Sequence, residues 1–441
     1  MALSLVPSYL FSQKLYDFSA VNDDGATIYY NVLSEEEKTC EVYLKADPDF
    51  NPPCYEGILN IPEFANGYKV ISIGSSAFWN CKDLTEVNIP NTVTTIKSGS
   101  FSFCYGLTTV KIPESVKYIE KYAFQYCNGL ISMTIPKNVE SIGTSIFMEC
   151  PNLKSISVDE GNQNYNSENN CNAIIETKTN TLISGCQNTI MPNNIEVIAG
   201  WAFCGHTELS SVSITEYVCH IDTMAFGWCS GLTSIDIPNS VSVLGGLAFY
   251  KCSNLKSVTI PNSVKIIEDR AFEGCENLKE VYSFITDVFE IPQKVFDKCP
   301  EVTLFVPYGT SGIYKSTSGW NSISNIVEMQ PSIPILISCN TKGSVSVNGS
   351  PSISSKISAA DINQDTDNTF TFTPKSGCKL DQVILNGLDI TANVEGNTLT
   401  CTIPANSQMI VTFATEQGDM NNDGTLDISD VVAIVNKILG N

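Results

Sequence analysis

Histidine and basic side chains are scarce in this sequence, and both shortages narrow the functions open to the chain. Its 441 residues include two histidines, His206 and His220, and 25 Lys and Arg against 47 Asp and Glu, for a formal net charge of −22. Nucleic acids and anionic membrane surfaces bind to clusters of basic residues. We therefore expect neither among the partners and attribute the acidic surface to solubility.

Catalytic signatures are also missing from the sequence. It contains no Gly-x-Ser-x-Gly, no phosphate-binding Walker loop, no His-Glu-x-x-His and no dinucleotide fingerprint. No apolar run reaches the 18 residues that a membrane-spanning helix needs. We therefore predict a protein that is not an enzyme and that has no membrane span.

What the sequence has in abundance is a repeat built around phenylalanine. The interval is 23 residues within each of two runs, 56 residues between the runs and 24 residues at the end. The phenylalanines are Phe78, Phe101, Phe124 and Phe147, followed by Phe203, Phe226, Phe249, Phe272 and Phe296. A fixed period of this length is typical of a solenoid.

The spacing inside one repeat predicts how each coil folds. In Leu84-x-x-Val87-x-Ile89 the apolar residues alternate with polar ones, which indicates a short strand with one face inward. Pro90 ends this strand because it cannot donate to a ladder. Val93 and Ile96 then turn the chain inward again. We expect one strand per coil, a tight return, and a core buried between stacked coils.

The register Phe-x-x-Cys-x-x-Leu-x-x-Val-x-Ile-Pro-x-x-Val-x-x-Ile resembles the BspA-type leucine-rich repeat of Bacteroidetes surface proteins. The resemblance runs from about Ile58 to Glu328. It implies an α/β repeat fold, a right-handed leucine-rich-repeat solenoid. It also implies an adhesion protein that is secreted or displayed on the exterior of the outer membrane. The implied partner is a protein or a host or bacterial cell surface.

Composition changes divide the chain into segments around this solenoid. The apolar stretch before Ser12 is interpreted as the remnant of a signal peptide, with a buried N-terminal strand as the alternative. The hairpin insertion is interpreted either as a binding element or as a tolerated decoration. The predicted segments are a signal remnant at 1–13, an N-terminal cap at 14–57, the solenoid at 58–328 with a hairpin insertion at 159–192, a small β domain at 334–415 and a loop-helix tail at 418–441.

Cysteine is frequent, with 17 residues, and falls into two classes. Eight cysteines lie three residues after a repeat phenylalanine, a column that we interpret as buried structural thiols. His206 takes this place in the fifth coil and is interpreted as a structural residue rather than a ligand. The column consists of Cys81, Cys104, Cys127, Cys150, Cys229, Cys252, Cys275 and Cys299.

The remaining cysteines include two disulfide candidates for an oxidising compartment. Cys40 and Cys54 flank an irregular loop. Cys171 and Cys186 flank the predicted hairpin, in which Ala173 would lie opposite Ser184 and Ile175 opposite Leu182.

The C-terminal tail carries the spacing of a calcium loop. Oxygen side chains stand at loop positions 1, 3, 5, 9 and 12, a glycine stands at position 6, and position 7 offers a carbonyl. The expected Ca²⁺ ligands are Asp419, Asn421, Asp423, Thr425, Asp427 and Asp430. The loop and the apolar helix after it resemble a dockerin repeat, although dockerins have two. That resemblance implies recognition of a cohesin-like partner through Ile428 and Ser429.

Two surfaces of the solenoid are candidates for binding. The outward strand positions are mostly Ser and Thr, suited either to hydrogen-bonding a partner or to a solvated sheet. A set of aromatic residues near the repeat phenylalanines forms either an exposed interface or packing between coils. These aromatic residues are Trp79, Phe103, Tyr105, Tyr126, Trp228 and Tyr250.

The sequence therefore favours a non-enzymatic adhesion protein that binds through its solenoid. The alternative is a calcium-dependent, dockerin-like component recruited to a secreted glycan-binding or glycan-degrading assembly.

Overall fold

The computed structural model describes residues 16–44, 55–329, 332–339, 342–349, 358–363, 367–375, 378–385, 388–402 and 408–415. It divides into two compact units, Met1–Glu328 and Met329–Asn441. The expected signal remnant at 1–13, Cys54 and the calcium loop with its helix at 418–441 lie outside the described residues.

The first unit is built almost entirely of short strands. They are β1 (Phe18–Val21), β2 (Thr27–Ser34), β3 (Thr39–Tyr43), β4 (Gly57–Asn60), β5 (Phe64–Ala65), β6 (Tyr68–Ile73), β7 (Leu84–Asn88), β8 (Thr95–Ile96), β9 (Thr109–Lys111), β10 (Tyr118–Ile119), β11 (Ser132–Ile135), β12 (Ser141–Ile142), β13 (Ser155–Val158), β14 (Tyr165–Asn166), β15 (Ile174–Glu176), β16 (Thr181–Ser184), β17 (Val197–Ile198), β18 (His220–Ile221), β19 (Ser234–Asp236), β20 (Val243–Leu244), β21 (Ser257–Ile260), β22 (Ile266–Ile267), β23 (Glu280–Ser283), β24 (Thr303–Val306) and β25 (Asn325–Glu328).

The segment expected to form the N-terminal cap contains the strands β1, β2 and β3. The three strands pair antiparallel, and β3 then pairs parallel with β6 at the start of the solenoid. Ile28, Tyr30 and Val42 are fully buried. The cap therefore covers the apolar end that an open solenoid would expose.

Each regular coil contributes to two rows of parallel strands. The first row is interrupted and forms three sheets, β4-β7-β9, β11-β13 and β19-β21-β23-β24-β25. The second row consists of two-residue strands, β8-β10-β12 after β6 and β17-β18-β20-β22 after β16. The expectation of one strand per coil is therefore wrong, because the return path is itself held by parallel pairing.

The α/β label is also wrong for this solenoid. The described part of the first unit has one α-helix, α1 (Ser311–Ser316), and short 3-10 turns at Glu168–Asn170 and Trp320–Ser322. The 23 residues of a coil form two strands and the tight turns between them. Left-handed residues such as Tyr122 and Tyr126 interrupt any helix in these turns. Within the described ranges, no helix has both the length and the apolar character needed to cross a bilayer.

The repeat phenylalanines stack along the axis of the solenoid. Within the first run the ring centroids of Phe78 and Phe101 lie 5.1 Å apart, and those of Phe101 and Phe124 lie 5.4 Å apart and almost parallel. The second run stacks in the same way, from Phe203 to Phe296. These rings are almost completely buried. Each ring is therefore covered by the coils on either side of it.

The cysteine column ties neighbouring coils together. The Cys127 thiol donates to the Phe101 carbonyl at 3.2 Å, and the Cys229 thiol donates to the Phe203 carbonyl at 3.0 Å. The same bond recurs at Cys104, Cys150, Cys252, Cys275 and Cys299. Burial raises the pKa of the Cys127 thiol well above its ordinary value. The column is therefore made of protonated, structural donors, as the sequence indicated.

The insertion forms an antiparallel hairpin, β15–β16, with β14 beside it. Ile175 lies opposite Leu182 as predicted, but Ser184 lies opposite Ile174 rather than Ala173, because the register shifts between Ile174 and Ile175. The hairpin then enters the solenoid, since β16 pairs parallel with β17. It is therefore part of the stack and not a surface decoration.

The expected disulfide across this hairpin is not formed. Cys171 and Cys186 are both buried free thiols. The register shift moves Cys171 by one position relative to its expected partner, and the Cys186 thiol instead lies 3.3 Å from the Asn172 carbonyl. Cys40, the described member of the other candidate pair, is a buried free thiol.

The insertion also divides the apolar core. Phe78 to Phe147 belong to one group of contacting buried residues and Phe203 to Phe296 to another. Gly185 packs against the first ring of the second run, since a Cβ at Gly185 would overlap the Phe203 ring. The aromatic stack is therefore interrupted at this one point.

The first unit ends in a helix, a turn and one more strand. After β24, α1 and the turn at Trp320–Ser322 lead into β25, which pairs parallel with β24. The Trp320 indole N–H donates to the Phe289 carbonyl at 3.0 Å, and its ring lies 6.0 Å from that of Phe296. Trp320 therefore closes the phenylalanine stack.

The second unit is all β in its described residues apart from a short 3-10 turn at Thr391–Asn393. One sheet has the order β28-β26-β33-β30-β31 and the other has the order β27-β29-β32. Phe370, Phe372, Val383, Met409 and Phe413 belong to its core. The strands are β26 (Ser332–Cys339), β27 (Gly343–Val347), β28 (Ser358–Asn363), β29 (Asp367–Pro374), β30 (Cys378–Leu385), β31 (Leu388–Asp389), β32 (Thr398–Thr402) and β33 (Gln408–Thr415).

Removing one ring from the stack tests how much of the stability the stack supplies. Phe124 is fully buried between Phe101 and Phe147, so Phe124→Ala leaves a cavity that the flanking coils cannot close. We expect a loss of about 3–5 kcal/mol in the free energy of unfolding, measured by urea denaturation. Phe284→Ala, at a phenylalanine that is 43% exposed, is the control. Equal losses in the two variants would contradict a stack that carries stability.

His206 makes the solenoid sensitive to acid. It replaces the thiol of the column, is 1% exposed, and its Nδ1 has no hydrogen-bond partner. Burial lowers the pKa of His206 to about 4, whereas an unfolded histidine titrates near ~6.5. Between these two pKa values the unfolded state binds more protons than the folded state. The free energy of unfolding is therefore highest above about pH 6.5, and it falls by roughly 3 kcal/mol as the pH drops toward about 4.

His206→Cys restores the thiol of the other coils and removes this titration. We expect the difference in unfolding free energy between the variant and the wild-type chain to grow as the pH falls from 7 to 4. Urea denaturation at each pH measures it, and carboxylate titrations common to both chains cancel in the difference. A difference that does not change with pH would rule out the buried imidazole as the cause.

Candidate binding surface

The turn after each repeat phenylalanine builds one continuous edge of the solenoid. In this turn the Phe103 N–H donates to the Gln125 carbonyl at 2.8 Å, and the Tyr126 N–H donates to the Met148 carbonyl at 2.9 Å. Because the same bond recurs from coil to coil, residues at equivalent turn positions line up along the axis. We call this edge, with the aromatic residues on it, the aromatic flank.

The aromatic flank continues across the insertion. The Glu149 N–H donates to the Cys204 carbonyl at 3.0 Å, and the Gly205 N–H donates to the Gly227 carbonyl at 2.8 Å. The Trp228 N–H then donates to Tyr250 at 2.7 Å. The two groups of aromatic residues that the sequence singled out therefore lie on the same edge of the solenoid.

The backbone conformation of the turn explains how these side chains reach the surface. The residue two places after the phenylalanine is left-handed, with φ of 65° at Phe103, 57° at Tyr126 and 57° at Trp228. A side chain in this conformation costs roughly 1–2 kcal/mol relative to glycine. The bond to the next coil holds the turn in place, and the left-handed residue carries its ring away from the core.

The N-terminal group consists of four rings, three of which contact Phe103. Phe103 is central, with its ring centroid 6.0 Å from Trp79, 6.2 Å from Tyr105 and 4.4 Å from Tyr126. The first two pairs are nearly perpendicular and the third is stacked at 13°. Tyr105 is 37% exposed and the other three are half-buried. Lys82 places its ammonium 6.0 Å from the Tyr105 ring.

The C-terminal group repeats this arrangement on a smaller scale. Trp228 and Tyr250 lie 5.1 Å apart at an angle of 86°, and both are half-buried. The Lys251 ammonium lies 5.3 Å from the Tyr250 ring. These rings thus pack between coils and are still partly exposed, and an interface at them remains a prediction.

Glu149 and Gly205 separate the two groups. Glu149 is half-buried, and burial raises the pKa of its carboxyl, with no cation contributing to the shift. Gly205 is left-handed with φ of 76°, and a Cβ there would lie 2.6 Å from the Glu149 carboxyl carbon. A half-buried carboxylate therefore stands between the aromatic groups, beside a position that admits no side chain.

Four side-chain donors of the aromatic flank have no hydrogen-bond partner among the described residues. Within the described residues, the indole N–H groups of Trp79 and Trp228 donate to no acceptor. The hydroxyls of Tyr105 and Tyr126 are likewise without a hydrogen bond there, and burial raises the pKa of Tyr126 to about 12. The flank therefore offers neutral donors beside apolar ring surfaces.

The outward strand face fits the solvated alternative over most of its length. Thr134 and Ser157 form a hydroxyl pair at 2.9 Å across β11 and β13. Ser211 and Ser213 lie outside any strand, because the first row is interrupted in their coil.

One aromatic residue on this face was missed. Phe305 lies opposite Tyr282 in register, and their rings stack at 4.7 Å. The two rings form an aromatic pair on a face that is otherwise mostly Ser and Thr. The repeat interval of 23 residues from Tyr282 to Phe305 was the signal that could have found the pair.

The structure adds no metal centre in the described residues, where no three His, Cys, Asp or Glu side chains are grouped to hold an ion. The six expected Ca²⁺ ligands, together with Ile428 and Ser429, lie outside the described residues. Calcium binding by the tail thus remains a prediction.

Comparison with known proteins gives a family match over more than half of the chain. A profile described as a BspA type Leucine rich repeat region of six copies matches residues 49–175 and 175–303. No protein among the curated sequences matches.

Several solved structures are similar. The pneumococcal vaccine antigen PcpA is 18% identical with a TM-score of 0.51, over 72% of this chain and all of that one (100%). A leucine rich cell surface protein from Faecalibacterium prausnitzii A2-165 is 24% identical with a TM-score of 0.48, over 69% of this chain and 98% of that one. A leucine-rich repeat protein from Bacteroides ovatus ATCC 8483 is 24% identical with a TM-score of 0.42, over 70% of this chain and 88% of that one. At these identities, the likeness to the pneumococcal antigen speaks for the fold alone.

Proposed function

We propose that this chain, which belongs to the BspA-type leucine-rich repeat family, is a non-enzymatic, secreted or surface-displayed protein that binds a partner protein or a cell surface through its solenoid. Repeat solenoids offer long, regular surfaces, and their stacked coils supply rigidity without a catalytic pocket. Secretion rests on the family resemblance and on the apolar N-terminal stretch.

The aromatic flank is the observation that carries this proposal. Trp79, Phe103 and Tyr126 lie in contact on one edge, and Trp228 and Tyr250 follow on the same edge. Aromatic residues are enriched at protein interfaces, where large rigid rings supply contact area at low entropic cost. The aromatic flank therefore supplies a surface of this kind on an otherwise acidic chain.

Adhesion assays with flank variants test the proposal. Fluorescently labelled full-length chain is titrated onto host epithelial cells and onto bacterial cells. We expect saturable binding to one of them that the double variant Trp79→Ala/Tyr126→Ala weakens about tenfold or more, as for truncated interface anchors. Tyr217→Ala is the matched control, because Tyr217 is 61% exposed and does not lie on the flank. Saturable binding that both variants keep unchanged would place the interface elsewhere.

A second candidate function is calcium-dependent recruitment to a secreted glycan-binding or glycan-degrading assembly. The observation that favours it is the spacing of Asp419, Asn421, Asp423, Asp427 and Asp430 around Gly424, which matches a loop for a hard cation. As the dockerin resemblance implies, Ile428 and Ser429 would then face a cohesin-like partner.

Calorimetry tests this second candidate directly. We expect one Ca²⁺ site in the full-length chain and its loss in Asp423→Ala, because position 5 supplies a carboxylate ligand. Asp236→Ala, at an exposed carboxylate of β19, is the control and should bind as the wild-type chain does. A secreted partner that detaches in chelator would support recruitment. Absence of a Ca²⁺-dependent heat would remove the basis of this candidate.

A further inference from the structure

We propose that the aromatic flank binds an extended, proline-rich segment of a partner protein, and that a Lys or Arg of this segment pairs with Glu149. The inference rests on the proposed binding function and names the chemistry of its partner. Four observations support it: the spacing of the coils, the angles between the rings, the hydrogen-bond donors and the unpaired carboxylate.

The spacing of the coils matches the repeat of a polyproline helix. Neighbouring parallel strands lie about 4.8 Å apart, so two coils advance about 9.6 Å. A polyproline II helix rises about 3.1 Å per residue with three residues per turn, or about 9.3 Å per turn. Trp79 and Tyr126 are two coils apart on the flank, on either side of Phe103. Such a helix lying along the axis therefore presents the same side to both.

The length of the flank sets the length of the segment. The hydrogen-bonded turns run in order from Asn80, next to Trp79, through Phe103, Tyr126 and Glu149, and then through Gly205 and Trp228 to Tyr250. These six steps span about 29 Å at the spacing of parallel strands. A polyproline helix covers this distance with about nine residues. One short segment is thus long enough to reach both aromatic groups and to pass Glu149.

The angles between the rings favour proline over a sugar ring. The pairs Trp79–Phe103 and Trp228–Tyr250 are nearly perpendicular, at 69° and 86°, and each such pair forms a corner that a pyrrolidine ring can fill. A pyranose ring needs one open aromatic face. Phe103 and Tyr126 cover each other at 4.4 Å and do not offer the faces between them. Aromatic-lined grooves are the common recognition surface for proline-rich segments.

The hydrogen-bonding groups of the flank match a polyproline backbone. The indole N–H groups of Trp79 and Trp228 have no acceptor among the described residues of the chain, and neither do the hydroxyls of Tyr105 and Tyr126. A polyproline helix makes no internal hydrogen bonds, so its carbonyls are free to accept. The donors on the flank and the acceptors on the segment are therefore complementary, and the stiff segment loses little entropy on binding.

Glu149 supplies the charge complementarity. It is half-buried, and no cation contributes to the environment of its carboxyl. It lies between the two aromatic groups, where a Cβ at the buried Gly205 would come within 2.6 Å of the Glu149 carboxyl carbon. A basic residue near the middle of the bound segment pairs with this carboxylate, and the net charge of −22 also favours a cationic ligand.

Peptide titration tests the inference. The probe is a fluorescein-labelled peptide of about nine residues, all proline except for a central Arg, titrated with the full-length chain and followed by anisotropy. We expect micromolar binding, weakened about tenfold or more by Trp228→Ala and by Tyr126→Leu, which keeps apolar volume in the coil. Tyr217→Ala should bind as the wild-type chain does. Thermal melts by circular dichroism confirm that each variant is folded.

The charge pairing has its own comparison. A second peptide carries citrulline, the neutral isostere, in place of Arg. Glu149→Gln should weaken binding of the Arg peptide severalfold and leave binding of the citrulline peptide unchanged. If Glu149→Gln affects both peptides equally, or neither, the pairing with Glu149 is wrong.

Failure of this inference is distinguishable from failure of the proposed function. If cell binding depends on the flank but no proline-rich peptide binds, the partner chemistry is wrong and the binding role stands. Competition for the flank by neutral oligosaccharides instead of peptides would likewise overturn the inference. Peptide binding that survives both Trp228→Ala and Tyr126→Leu would place the peptide site elsewhere.

Discussion

The regular coils of this solenoid are completed by the coils on either side of them. The phenylalanine ring, the thiol and the turn amide of one repeat all find their partners one repeat away, as Phe101, Cys127 and Tyr126 illustrate. An isolated coil would leave its ring in water and its turn amides unpaired, so no coil is stable alone. The cap strands β1 to β3 at one end and Trp320 at the other are consequences of the same requirement.

The insertion shows what happens where this rule is relaxed. The rings of Phe147 and Phe203 belong to separate groups of buried residues, and Gly185 packs against Phe203. Buried polar atoms without hydrogen bonds gather nearby, at Ser145, Gln187 and His206. Backbone bonds such as the one from Glu149 to Cys204 still cross the junction. The edge of the solenoid is thus continuous while its core is not, which makes this junction the natural place for local opening.

The features that recur with the 23-residue period could be predicted from the sequence. The 23-residue interval identifies the coils, the alternation in Leu84–Ile89 identifies the first row of strands, and the cysteine column follows from its place in the repeat. The second row was missed because a two-residue strand such as β8 has no alternation to read; only pairing with its neighbours defines it. The hairpin register was wrong by one residue at Ser184, since a bulge leaves no signature in apolar spacing. The aromatic residues could be identified from the sequence. That the two groups lie on one edge of the solenoid could not, because it depends on the path that the insertion takes between the coils.

The aromatic flank lies where it does because different positions of the coil have different roles. Positions that stack or pair between coils, such as Phe124 and Cys127, are committed to stability. The turn between them contributes its backbone to the ladder and leaves its side chain unconstrained, so Tyr126, Glu149 and Gly205 can occupy the same position in successive coils. A binding surface can therefore vary along this edge without disturbing the core. The backbone at this position is left-handed, which is unfavourable for residues other than glycine. The hydrogen bonds of the turn amides to the next coil hold it in this conformation.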